Sequence, residues 1–165
     1  MELKPIGRVR SPLTDPSAAP KQGSEGAPDA WLEFDDAVRE ALADIDVGDE
    51  LIVLTWLDRA RRDVLRVHPR DDARNPLRGV FSTRSADRPN PIGLHRVVVL
   101  AVEDMRLRVR GLEALDETPL VDVKPVLANP GRRDSPSEPP PGAPSHGLGS
   151  GARRQESKGE RRPNR

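Results

Sequence analysis

The apolar residues of this chain come in short runs, and that limits the fold more than any other feature. Leu51 to Leu57 and Val97 to Val102 are nearly continuous, β-branched and shorter than an ordinary buried helix. Leu107 and Val109 alternate with Arg106, Arg108 and Arg110, the pattern of a half-buried strand with one basic face. Pro5 to Arg10, Ala30 to Phe34, Asp63 to His68, Val80-Phe81 and the run Val121, Val123, Val126 are further strand candidates. Only one stretch has helical spacing, with Val38, Ala41, Leu42 and Ile45 on one face, Asp35 or Asp36 as cap and Gly48-Asp49 as terminator. About six to seven short strands with tight connections and one helix predict a mostly β fold, a small closed or nearly closed β-barrel. No Gly-rich strand-to-helix turn is present, which argues against a dinucleotide-type fold.

Residues 1–127 are expected to form this barrel domain, and 128–165, built from Pro, Gly, Ser and Arg, a disordered tail. Formal charge is zero over the 165 residues, but 128–165 hold eight basic and four acidic groups. The body is left with 19 basic and 23 acidic residues, a poor electrostatic footprint for nucleic acid. An RNA partner would therefore rely on local basic loops and the tail. Absence of cysteine removes disulfides, thiolate metal sites and cysteine nucleophiles. His68, His95 and His146 are scattered without ligand spacing, so no metal site is expected. No apolar run reaches membrane-spanning length and no signal pattern opens the chain, so a cytoplasmic setting without membrane contact is expected.

The chemistry concentrates in Gly79-Val80-Phe81-Ser82-Thr83-Arg84-Ser85-Ala86-Asp87-Arg88-Pro89-Asn90-Pro91-Ile92-Gly93-Leu94. Pro89 and Pro91 hold Arg88 and Asn90 extended, while Gly93 permits a backbone angle or a close approach that a side chain would forbid. Such a stiff loop suits a small polar ligand, because little entropy is lost on binding. From these residues alone, a turn-rich hairpin loop is an equally good reading.

The words of that loop resemble the signature of the TrmO/TsaA-like family, S-adenosylmethionine-dependent enzymes that methylate N6 of threonylcarbamoyladenosine beside the tRNA anticodon. Ile6 to Pro12, Ala19 to Gly23 and Leu115 to Pro125 resemble that family's other motifs in the same order, so the resemblance runs from about residue 4 to 127. It implies a small β-barrel, S-adenosylmethionine as cofactor, tRNA as partner and assembly as a homodimer. Gln22, Arg84, Arg88, Pro89, Asn90, Ile92, Gly93 and Leu94 are the implied cofactor-binding residues. Asp122 and Lys124 lie two apart on a candidate strand and so share a face. They are either an exposed ion pair or, as the resemblance implies, the proton acceptor and the cation that holds the carbamoyl oxygen or threonyl carboxylate.

Two departures stand out. Glu117 occupies a position that is glycine in the family's Asp-Gly-Thr-Pro turn, and Val126 stands where a tyrosine follows Lys-Pro. The missing tyrosine bears on the RNA substrate more than on the cofactor. A non-catalytic S-adenosylmethionine-binding module and a methyltransferase of a small molecule are the competing functions.

Overall fold

The computed structural model describes residues 2–127; the tail expected over 128–165 lies outside the described residues. Among the described residues eight strands form: β1 Gly7–Arg10, β2 Ala30–Phe34, β3 Glu50–Trp56, β4 Arg66–Val67, β5 Arg78–Gly79, β6 Ile92–Glu103, β7 Arg106–Arg110 and β8 Pro119–Pro125. Six of them close an antiparallel barrel in the order β1-β2-β7-β6-β3-β8, and β4 with β5 makes a separate two-stranded ribbon. The expected mostly β barrel is what forms.

Alternation sets the inside. In β3, Leu51, Val53 and Thr55 are buried, and in β7 Leu107 and Val109 are buried between exposed arginines. With Val9, Leu32, Val97, Val99 and Leu120 these side chains fill a closed interior, which takes their apolar surface out of water. The outward arginines of β7 are not a free basic face: Arg106 pairs with Glu103 and covers Trp31 at 4.9 Å, and Arg108 pairs with Asp29 at 2.8 Å.

Several expected elements change form. The helix is a seven-residue 3-10 segment, Asp36–Leu42, kinked at Val38, and the Asp35 side chain at its start makes no capping bond. Val38, Leu42 and Ile45 still pack on the core, while Ala41 is exposed. So short a segment gains little from helical hydrogen bonds and follows its apolar contacts instead. The strand expected over Asp63 to His68 shrinks to Arg66–Val67, and Val80-Phe81 enters a 3-10 turn with Val80 buried and Phe81 83% exposed. The strand expected from Val97 begins earlier, at Ile92, inside the Pro-rich loop motif.

The turn before β8 depends on Glu117, whose φ of 67° is the left-handed conformation glycine adopts freely. Its backbone N–H donates to Val9 O at 2.9 Å, and Thr118 O accepts from Val9 N, so the turn stitches β1 to β8. Its carboxylate is held by Arg8 and Arg10. Strain of roughly 1–2 kcal/mol at a non-glycine residue is comparable to the chain entropy that glycine adds. Glu117→Gly should therefore change unfolding free energy by less than about 1 kcal/mol. Glu117→Val, β-branched in the same conformation, should lose about 1–3 kcal/mol by thermal or denaturant melting.

Candidate functional site

β6 serves two partners in succession. Ile92 to Val98 pair with β3, and Val98 to Glu103 pair with β7, with an irregularity between Val99 and Ala101. The first half of β6 is thus unpaired on the side toward β7, and an open cavity of about 1770 Å³ lies there. Its walls come from the 16–27 loop, the arm 57–88, β6 and the 110–118 segment. The carbonyl of Leu94 points to this free edge and accepts from Arg84 Nη2 at 2.7 Å. In an antiparallel strand the N–H of the same residue faces the same way, so Leu94 also offers a backbone donor there.

Of the residues singled out in the sequence, Gln22, Arg84, Arg88, Ile92, Gly93 and Leu94 line this cavity. Two segments about sixty residues apart therefore meet at one place. Arg88 is committed to its own loop: Nε donates to Ser85 O at 2.8 Å, and Nη2 donates to Thr83 O at 2.6 Å and Val80 O at 3.2 Å. It shapes the wall by satisfying carbonyls that the turn leaves open. Pro89 and Asn90 fall outside the lining; Asn90 O accepts from Ile92 N at 2.8 Å, where β6 begins. Asp122 and Lys124 are also outside it, on the outer face of β8 and paired to each other at 2.7 Å. Register connects them to the cavity, since Asp122 is opposite Leu54 and Leu54 is opposite Leu94. Two strand spacings, roughly 10 Å, separate Asp122 from the cavity wall along one sheet face.

The 16–27 loop is tied down by charge. Lys21 pairs with Asp71 at 2.6 Å, and Arg70 pairs with Glu25. The Glu25 hydrogen bond, then its charge, raise the Arg70 guanidinium above its already high pKa. Arg70 and Asp71 are successive left-handed residues, φ 61° and 57°, a strained turn that presents opposite charges to the loop.

Three residues at the cavity end, Thr55, His95 and Glu113, stand outside the site expected from the sequence. His95 is 5% exposed, its Nε2 lies 2.9 Å from Oγ1 of the fully buried Thr55, and its Nδ1 lies 3.0 Å from Glu113 Oε1. The available signal was parity: Thr55 and His95 are polar at positions that strand alternation turns inward. Gly93 is the space they need, because a Cβ there would stand 2.3 Å from Thr55 Oγ1 and 2.5 Å from His95 Nε2. Among the described residues no group of three His, Cys, Asp or Glu could hold a metal ion.

The family model of the tRNA-methyltransferase O N-terminal domain matches residues 8–130. The chain belongs to this family. An S-adenosyl-L-methionine-binding protein of Archaeoglobus fulgidus is 46% identical to this TrmO-family chain over 124 residues, 75% of it and 88% of the relative. A probable S-adenosyl-L-methionine-binding protein of the same organism is 46% identical over 125 residues, of which the chain spans only 34% of the relative's length. The crystal structure of TrmO from Pseudomonas aeruginosa superposes with a TM-score of 0.62 at 28% identity, over 86% of this chain and 64% of that one. The TrmO-family chain thus spans under two thirds of that solved structure.

The Gly93 contact can be tested directly. Gly93→Ala should cost about 1–3 kcal/mol of stability by overpacking. Combined with Thr55→Ala, which vacates one of the two clashing atoms, the loss should be smaller than the sum of the single losses. Additive losses in denaturant melts would show that the two positions do not share this space.

Proposed function

We propose that this chain is an S-adenosylmethionine-dependent methyltransferase acting on N6 of threonylcarbamoyladenosine in tRNA. The observation that supports it best is the convergence of Gln22 with Arg84, Ile92, Gly93 and Leu94 on one cavity at an open strand edge. The chemistry of this donor set fits the cofactor. Leu94 N–H and the Gln22 amide can meet a purine edge and ribose hydroxyls, Ile92 and Leu94 offer apolar contact, and the Arg84 guanidinium keeps donors for a carboxylate beyond its bond to Leu94. S-adenosylmethionine supplies a methyl group activated by its sulfonium charge. Binding here places the reacting groups against a stiff wall, and alignment lowers much of the barrier of an in-line displacement.

The acceptor base would lie across the outer face of β6, β3 and β8, from Leu94 past Leu54 to Asp122. Asp122 takes the N6 proton there. Lys124 exchanges its Asp122 partner for the carbamoyl oxygen or the threonyl carboxylate. Phe81 is 83% exposed, apolar surface that a second copy would cover in the proposed homodimer. A cytoplasmic setting goes with this reading.

Mutual pairing of Asp122 with Lys124 outside the cavity favours the second reading, a cofactor-binding module without turnover. Mass spectrometry of tRNA nucleosides from a deletion strain decides between them: loss of the N6-methylated nucleoside, restored by the full chain, is expected for the enzyme, and an unchanged nucleoside profile for the module. Within the enzyme reading, Asp122→Asn should leave cofactor affinity intact and slow single-turnover methylation by about 10²–10⁴-fold. Methylation at the parental rate would make the Asp122–Lys124 pair structural.

A further inference from the structure

The Thr55–His95–Glu113 chain has the layout of a hydroxyl, an imidazole and a carboxylate in a row. Nucleophilic catalysis is excluded, because Thr55 is 0% exposed and does not line the cavity. What reaches the cavity is the other end. Glu113 lines it with its side chain only 19% exposed. Its Oε1 is 3.0 Å from His95 Nδ1, close enough for an ion pair, yet Nδ1 is not aligned for a hydrogen bond. The carboxylate therefore keeps acceptor capacity toward the cavity, and its partial burial strengthens any charge-assisted bond it makes.

The other carboxylates of the wall differ. Asp71 is taken by Lys21 at 2.6 Å, Asp87 by Arg61 at 3.1 Å, and Asp58 is exposed to water. Backbone packing brings a loop onto Glu113. A Cβ on Gly23 would overlap Gly111 O at 1.9 Å and stand 3.2 Å from Glu113 Oε2, so only a glycine lets the 22–26 loop sit there. Oε2 is thereby enclosed between the Gly23 backbone and the cavity, with no cationic side chain of the described residues paired to it.

We infer that Glu113 is the acceptor for an aliphatic ammonium group of the ligand, held toward the cavity by the buried His95–Thr55 pair. On the reading proposed above, on which this inference rests, that group is the α-ammonium of the methionyl moiety. His95 acts through Glu113 and is a positioning residue. Glu113 therefore sets a requirement for the amino acid end of the ligand, separate from recognition of its adenosine.

Calorimetric titration of the full chain with S-adenosylhomocysteine and with 5′-methylthioadenosine separates these parts, since the second probe lacks the amino acid. Glu113→Gln should weaken S-adenosylhomocysteine by about 10–100-fold, the scale of a hydrogen bond to a charged group, and leave 5′-methylthioadenosine within about 2-fold. Glu113→Asp, which restores the charge, should recover part of the preference, and His95→Asn should lower it without touching 5′-methylthioadenosine. Equal weakening of both probes by Glu113→Gln, or no weakening of either, overturns the inference while leaving the cofactor reading intact. A parent chain that binds neither S-adenosylmethionine nor S-adenosylhomocysteine removes both.

Discussion

The divided pairing of β6 is the constraint on which the rest of the structure depends. Twelve residues run as one strand, the first half bonded to β3 and the second to β7. A barrel closed this way is continuous around its core yet leaves a stretch of backbone edge beside Leu94. An open edge ordinarily invites another strand. Here the arm and the 16–27 loop cover it without pairing along it, and the space left is the cavity. Inner and outer faces of the same strand thus do different things: Val97 and Val99 join the core, His95 and Gly93 end it, and Ile92 and Leu94 face outward.

Closure at that end is polar, and it is built by subtraction as much as by contact. Gly93 and Gly23 each sit where a Cβ would collide, with the Thr55–His95 pair in one case and the Gly111 carbonyl in the other. Absence of side chains at these positions lets the loop and the histidine approach the barrel mouth closely. The charged links that follow, Lys21 with Asp71 and Arg70 with Glu25, lie at the exposed rim, where salt screens them. The two glycines thus set how closely the loop approaches, and the ion pairs hold it at the rim.

Strand identity was legible in the sequence: β7 appears where alternation placed it, and β2 covers the expected Ala30 to Phe34. Elements set by tertiary packing were not. The segment 36–42 has helical spacing but too few residues to impose α geometry against the barrel end, and the Asp63–His68 run lost most of its length because only Arg66 and Val67 find a partner in β5. The Gly79–Leu94 motif could be read as a candidate site, though not the division of labour within it. Arg88 and Leu94 look alike as candidates, and only the fold shows that the guanidinium serves loop carbonyls while the plain leucine turns its backbone to the cavity. Likewise Glu117 reads as a departure from glycine, but its left-handed φ keeps a glycine-like turn and its carboxylate gains Arg8 and Arg10. Parity could point to His95 as an inward polar residue, but its contact with Glu113 across 18 residues is set by the fold and left Glu113 unmarked in the sequence.

On the proposed reading the cofactor binds at the free edge of β6 and the loops around it, and the opposite barrel end takes no part. Hydrogen–deuterium exchange of the full chain with and without S-adenosylmethionine tests this most directly. Backbone amides in 20–26, 82–95 and 110–118 should gain protection on binding, Leu94 among them, while those in 36–47 should exchange as before. Protection centred on 36–47, or none in the three cavity segments despite saturating cofactor, would place the cofactor elsewhere on the barrel.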